Sequence, residues 1–376
     1  MKKNKSPWGV LNGVRPTKKA RKLLEEGILQ EDLPKILRKE LKIKKSKVKL
    51  LLQTIKNQNI TEDASLVDFY VNIPICPTRC SYCSFISAEL KAVQKILPDY
   101  LNALKVEILN AKALIKEKNF NVRSVYIGGG TPTVLTALDL QFLLENLKFG
   151  EVEFTVECGR PDTITKEKLL VLKKYGVTRI SINPQTFSEK TLEKIGRKHS
   201  AQDVLTAFEM AKQIGFDVNM DLIAGLEGED FKTFKKSLFK ALQLQPENLT
   251  VHTLSIKKGS CLQGQNIENK QVQKMVDFAY KTLVKNNYLP YYLYRQKNQL
   301  GNLENIGYSK PTKQCKFNVD SMEETVSVIA CGANAISKFI DFDNQKIIRS
   351  SNPKFLNDYI SRLEENISKK NKIFNK

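Results

Sequence analysis

The stretch from Tyr70 to Phe85 reads YVNIPICPTRCSYCSF. It opens as a short apolar run and ends in three cysteines, Cys76, Cys80 and Cys83, spaced C-x3-C-x2-C. A strand that gives way to a thiol-rich loop puts metal ligands where parallel α/β sheets gather their function, at the C-terminal strand ends. A structural zinc site or an all-cysteine iron–sulfur cluster takes four protein ligands. No fourth cysteine adjoins these three, and the chain's two histidines, His199 and His252, lack the close pairing of a zinc finger. Three thiolates on one tight loop instead suit three irons of a [4Fe–4S] cluster, with the fourth iron open to a chelating ligand.

The same strand-then-loop rhythm repeats downstream. Apolar or β-branched runs occur at 68–75, 124–130, 152–158, 179–185, 216–225 and 248–256, separated by amphipathic stretches of helical period. Two of those stretches end KKYGVTRISI and AKQIGFDVNM, each closing a helix with Gly176 or Gly215 before the next strand. Six βα units predict a parallel sheet, either doubly wound or curved into a partial barrel, because each helical crossover returns the chain in the same direction. On that sheet the chemistry-bearing residues fall at one mouth: the cysteines, GGGTPT (128–133), Glu157, Gln185 and Asp221.

Before this unit, residues 1–65 read as a basic helical region, with a helix from Pro16 to Gly27 and further helical periodicity through DLPKILRKELKIKKSKVKLLLQTI. Its only tryptophan, Trp8, reads as a packing anchor. The run ELKIKKSKVK (40–49) is a candidate anion-facing patch. After about residue 260 the repeat stops, and 261–376 reads as a smaller α+β region covering an open barrel side. The expected organisation is therefore 1–65, 66–260 and 261–376.

Composition bounds the function. The 376 residues carry 61 Lys and Arg against 40 Asp and Glu, a net charge of +21, which favours anionic partners. No apolar run is long enough to span a bilayer, and the N-terminus lacks the apolar core of a secretory signal. A cytoplasmic protein with reduced thiols is the expectation, and seven cysteines, an odd number, argue against a simple disulfide framework. No aromatic–basic RNA-binding module is visible, so nucleic acid is not an expected partner.

The cysteine loop together with YIGGGTPTVL resembles the radical S-adenosylmethionine (SAM) superfamily. YVNIPICPTRCSYC, VYIGGGTPT, VECGRPDTIT, ISINPQTF, IGRKH and MDLIAGL, spanning 70–226, narrow the resemblance to the oxygen-independent coproporphyrinogen III dehydrogenase (oxidase) family. The resemblance implies an α/β fold, a partial (β/α)6 TIM-like barrel. It implies Cys76, Cys80 and Cys83 as cluster ligands, and Tyr70 beside the cluster. Gly128, Gly129, Gly130 and Thr131 would line the methionine moiety of SAM, with Glu157 hydrogen-bonded to its amino-acid end or ribose. Gln185, Arg197 and Asp221 would bind the ribose and carboxylate side, and Tyr82 would lie against adenine. The implied reaction converts two propionates of coproporphyrinogen III to vinyls, with an electron donor such as flavodoxin or ferredoxin. Tyr294, Arg295 and Lys297 are candidate substrate contacts. The chain departs from the family at Asn72 and Phe85, where members of this chemistry carry a histidine and a fourth cysteine. Three readings follow: porphyrinogen dehydrogenase, heme chaperone, or radical SAM enzyme on another acidic substrate.

Overall fold

The computed structural model describes residues 6–11, 13, 15–83, 88–256 and 269–375. Phe85 and Cys261 lie outside them. Three helices come first: α1 (Pro16–Glu25), α2 (Leu33–Lys39) and α3 (Lys45–Asn57). The second predicted helical stretch thus breaks in two. The break contains Lys42, with φ of +55°. It is pinned from outside, since Val10 N donates to Leu41 O at 2.9 Å and Lys44 N to Pro7 O at 3.0 Å.

The six expected strands follow as β1 (Leu66–Ile73), β2 (Asn121–Gly129), β3 (Glu153–Glu157), β4 (Arg179–Ser181), β5 (Asp217–Ala224) and β6 (Asn248–Thr253). They pair in chain order, all parallel. The crossovers run through α4 (Leu97–Glu117), α5 (Ala137–Leu144), α6 (Lys166–Lys174), α7 (Glu189–Lys194) with α8 (Ala201–Ile214), and α9 (Phe231–Leu244). Their starts are chemically marked. Thr136 and Asp139 form a capping box on α5, Ser200 and Asp203 do so on α8, and Asp230 caps α9. Gly176 and Gly215 follow α6 and α8 at positive φ, as their positions predict. β1 buries Val67, Phe69, Val71 and Ile73 but also Asp68, because a parallel strand is covered on both faces. Asp68 Oδ1 accepts from the Ser124 hydroxyl at 2.6 Å.

Beyond residue 269 the chain adds α10 (Asn269–Lys285), β7 (Leu289–Tyr294), β8 (Asn305–Ser309), α11 (Lys316–Glu323), β9 (Ser327–Cys331), β10 (Ile336–Asp341), β11 (Lys346–Ser351), α12 (Leu356–Ser361) and α13 (Leu363–Phe374). Its strands share the sheet with β1–β6. The order is β11-β10-β9-β1-β2-β3-β4-β5-β6-β8-β7. β9 lies parallel to β1, with Tyr70 beside Ala330, so a strand late in sequence becomes a neighbour of the cysteine-bearing one. At the other edge the tyrosine-rich segment forms an antiparallel pair with β8, whose Gly307 lies under Tyr292. A Cβ there would stand 1.8 Å from the ring.

The basic N-terminal region packs onto this frame through charge as well as apolar contact. Trp8 Nε1 donates to Glu304 Oε2 at 2.8 Å and Lys47 Nζ to Glu304 Oε1 at 2.7 Å, all three residues buried. Trp8 is the anchor its sequence suggests. Lys47 faces inward, so the 40–49 run is not a continuous anion-facing patch. No helix among the described residues is long and apolar enough to cross a membrane.

Candidate functional site

The C-terminal ends of β1–β6 open into one cavity of about 600 Å³, within the usual range for small-molecule sites. Tyr70, Cys76, Cys80, Tyr82, Cys83, Gly129, Gly130, Thr131, Glu157, Gln185, Arg197 and Asp221 all line it. Gly128 is buried just beneath, where a Cβ would lie 2.9 Å from the Glu157 carboxyl. The structure therefore brings together the residues that the sequence places at separate strand ends.

The thiol loop is held by its backbone. Cys83 N bonds Cys80 O at 3.1 Å, and Ser81 N bonds Ile195 O at 3.1 Å, tying the loop to the end of α7. Cys76 Sγ lies 3.6 Å from Thr131 Oγ1. The glycine floor is tight. Gly129 has φ of +110°, and a Cβ on it would stand 2.2 Å from Asn72 Oδ1. At Gly130 it would stand 2.5 Å from Ile75 O. Only glycine lets this backbone pass so close to β1 and still present its N–H groups. Asn72, where the resemblance would place a histidine, uses both side-chain groups to hold the wall. Its Oδ1 accepts from Tyr70 Oη at 2.9 Å and its Nδ2 donates to Ala333 O at 2.5 Å. Tyr70 stacks on Phe317, with ring centroids 5.6 Å apart.

Two carboxylates sit in opposed environments. Glu157 accepts from Tyr126 Oη at 2.7 Å and from Gly129 N at 3.2 Å. Burial pushes its pKa up to about 7, with Asp221 adding to the rise and the two hydrogen bonds and His252 opposing it. Asp221 is buried too, yet its carboxyl is held below the usual range, because hydrogen bonds and charge from His252, Asn219 and Thr250 outweigh desolvation. Its Oδ1 accepts from Asn219 at 2.9 Å, and its Oδ2 lies 3.5 Å from His252 Nε2. Around neutrality Asp221 is a fixed anion, while Glu157 can change state. Arg197 donates to Tyr82 Oη at 2.8 Å and to the carbonyls of Gly159 and Asn183 at 2.8 and 2.9 Å. This places the guanidinium and the phenol as one unit. Gln185 adopts φ of +64°, a conformation that costs a non-glycine residue about 1–2 kcal/mol. Its backbone bridges β5, with Gln185 N to Asp221 O at 2.9 Å.

Several site residues are not singled out by the sequence reading. Ser181 closes β4, and Asn183 and Gln185 lie in the loop that follows it, so no regular period marks them. All three line the cavity. Ser181 Oγ, Asn183 Oδ1 and Gln185 Oε1 are buried with no hydrogen-bond partner among the described residues. Arg160 is a second addition. It is fixed on Asp162 at 2.8 and 2.9 Å, and its Nη1 reaches 3.8 Å from Cys80 Sγ. Of the candidate substrate contacts, Tyr294 lines the cavity. Arg295 instead turns to Leu11 O at 2.9 Å and over the Trp8 ring.

The Radical SAM superfamily profile matches residues 70–241. Over 375 residues the chain is 41% identical to the oxygen-independent coproporphyrinogen-III oxidase-like protein HemZ of Bacillus subtilis, covering 95% of this chain and 75% of that protein. The chain belongs to the radical SAM superfamily, in its coproporphyrinogen oxidase-like family. Its cofactors are accordingly a [4Fe–4S] cluster and S-adenosylmethionine. The heme chaperone HemW of the same organism is 38% identical over 195 residues, half of each chain. The radical SAM enzyme coproporphyrinogen III oxidase (HemN) of Escherichia coli shares the fold. Its TM-score is 0.62 at 22% identity, over 82% of this chain and 71% of that one.

The residues of this radical SAM chain fit both groups. Among the described residues no three His, Cys, Asp or Glu side chains gather closely enough to hold a single ion. A cluster needs only one thiolate per iron, at separate corners, and three thiols from one loop line the cavity. Beside them are a floor without Cβ atoms and three buried oxygens awaiting partners, as a polar nucleoside–amino acid requires.

Because Glu157 titrates near neutrality, SAM affinity is expected to rise with pH. SAM carries a sulfonium and an ammonium beside its carboxylate, so if Glu157 takes the cofactor's ammonium, as the resemblance implies, its ionised form would bind SAM more tightly than its protonated form. With a pKa of about 7 the ionised fraction grows about tenfold between pH 6 and 8. Equilibrium SAM binding across that range should follow it in the native chain and be flat in Glu157→Gln.

Proposed function

We propose that the chain is a radical SAM enzyme that oxidatively decarboxylates two propionates of coproporphyrinogen III to vinyls. The observation that carries this reading is the single cavity: thiols and polar SAM-type contacts occupy part of its wall, and aromatic and basic groups, including Phe317, Tyr292, Tyr294 and Lys338, occupy the rest. Cys76, Cys80 and Cys83 would hold the cluster. Gly129, Gly130 and Thr131 would receive the methionyl end of SAM, with Gly128 keeping room for Glu157. Gln185, Arg197 and Asp221 would take the ribose and carboxylate side, and Tyr82, oriented by Arg197, the adenine. Bound together, the two cofactors supply a 5′-deoxyadenosyl radical that removes a hydrogen atom from a substrate carbon. The chain's own part is to bind, aim and exclude water. Tyr70, stacked on Phe317 and bonded to Asn72, presents a rigid aromatic wall beside the thiol loop. Carbon dioxide leaves, and a separate acceptor takes the remaining electron. Reduction of the cluster falls to a small electron carrier of the flavodoxin or ferredoxin kind.

A second reading, heme chaperone, is favoured by one feature. His252 lines the cavity, its ring set between Asp221 and the Tyr294 hydroxyl, with Nδ1 3.5 Å from that oxygen. A cavity-facing imidazole is a suitable axial ligand for heme iron. The two readings separate in one anaerobic assay. With reconstituted, reduced protein, SAM and coproporphyrinogen III, the dehydrogenase yields 5′-deoxyadenosine together with a vinyl-bearing tetrapyrrole. 5′-Deoxyadenosine without a change in the tetrapyrrole, alongside stoichiometric heme binding abolished by His252→Ala, establishes the chaperone instead.

A further inference from the structure

The cavity wall formed by β9, β10 and α11 carries a charge the cofactors do not account for. Val328 on β9 faces Lys338 on β10, and Lys338 in turn pairs with Arg349 on β11. Ile336 and Lys338, two residues apart on one strand face, both line the cavity. Three further cations surround Lys338: Arg15 and Lys18 from α1 and its N-cap, and Arg349. Only Glu324 opposes them. Glu324 is already engaged three times, by Arg15 at 2.5 Å, Lys18 at 2.7 Å and Arg349 at 2.9 Å. The neighbouring Glu323 is taken by Arg21.

The Lys338 side chain is half-buried and, among the described residues, its ammonium makes no hydrogen bond and no ion pair. Four cations around one carboxylate leave an excess of three positive charges at the wall of a ligand cavity. Burial, and then repulsion from Arg15, Arg349 and Lys18 against the pull of Glu324, bring its pKa down to about 8. Folding tolerates an unpartnered, partly desolvated ammonium among like charges only at a cost, and an anion at that wall would remove it.

We propose that Lys338 receives a propionate carboxylate of an anionic tetrapyrrole, with Arg15 and Arg349 supplying the field that draws it in. This rests on the tetrapyrrole reading above and holds for either the porphyrinogen or the heme form, since both carry propionates. The basic N-terminal helix thereby acquires a role at the site, because α1 and its N-cap contribute two of the charges that make the wall attractive.

The test is a fluorescence titration of the anaerobically reconstituted protein with coproporphyrin III and with its neutral tetraamide, with SAM binding measured in parallel. The native chain should prefer the tetraacid. Lys338→Gln should bind the tetraacid about tenfold more weakly, equivalent to about 1.4 kcal/mol, with the tetraamide and SAM unaffected. Lys338→Arg should restore most of the loss. Unchanged tetraacid binding by Lys338→Gln overturns the assignment and leaves the tetrapyrrole reading standing. Weakened SAM binding with unchanged tetraacid binding overturns it in favour of the cofactor's own carboxylate. If the native chain binds neither coproporphyrin nor heme, the tetrapyrrole reading fails and this proposal with it.

Discussion

Cys80→Ala is expected to leave the chain folded but to reduce 5′-deoxyadenosine formation to background. Cys80 is nearly buried at the cavity wall, with the Arg160 guanidinium 3.8 Å from its sulfur. Alanine would remove one of the three proposed cluster ligands and take the sulfur away from the buried Arg160 guanidinium, so the remaining two thiols would not retain an intact cluster. The loop's backbone bonds do not use the thiol: Ser81 N to Ile195 O and Cys83 N to Cys80 O both survive the substitution. Iron content, visible absorption and the reduced-state electron paramagnetic resonance signal should fall together, while the far-ultraviolet circular dichroism spectrum stays native. A variant that keeps native iron content and native 5′-deoxyadenosine yield would remove Cys80 from the cluster.

The second large effect lies away from the chemistry. Glu107, on α4, is fully buried and accepts four hydrogen bonds. Lys370 Nζ is at 2.6 Å, Asn352 Nδ2 at 2.8 Å, Tyr359 Oη at 2.6 Å and Gly332 N at 2.7 Å. Lys370 also donates to Cys331 Sγ at 3.3 Å. These partners come from α12, α13 and the turns that follow β9 and β11, so one carboxylate fastens the C-terminal region to the first crossover helix. Glu107→Ala strands a buried ammonium and three further donors. Breaking one side of a buried ion pair costs about 3–5 kcal/mol, and the denaturation midpoint should fall accordingly. Glu107→Ala combined with Lys370→Met should recover a substantial part of that loss, because the uncompensated charge goes too. Urea unfolding of the native chain, both single variants and the double variant gives the coupling. A single-variant loss below about 1 kcal/mol, typical of exposed pairs, would show that the network does not anchor this region.

The effect reaches the cavity. Gly332 and Ala333 follow β9 and meet Asn72, the residue that closes the Gly129 floor from below. Loosening the Glu107 network should therefore weaken SAM binding as well as stability.

Local spacing determined much of this protein. C-x3-C-x2-C fits a tight loop. GGG after a strand fits a backbone that must pass within 2.2–2.5 Å of its neighbour where a side chain would begin. Helix caps and closing glycines fix the crossovers, and six such units in a row leave little choice but a parallel sheet, while its strand order is read from the tertiary structure. These features are legible because each depends on residues a few positions apart. Tertiary structure alone decided which distant segment stands beside β1. It is β9, more than 250 residues on by the register Tyr70 to Ala330, and with it come Asn334, Ile336 and Lys338 as cavity wall. It also turned Lys47 inward onto Glu304 and Arg295 away from the cavity onto Leu11, and brought Arg15 and Lys18 to Glu324. A lysine's spacing does not tell whether it meets water, a buried carboxylate or a ligand. That depends on which charges the rest of the chain folds around it, and such pairings across the sheet and between the two ends of the chain leave no local pattern.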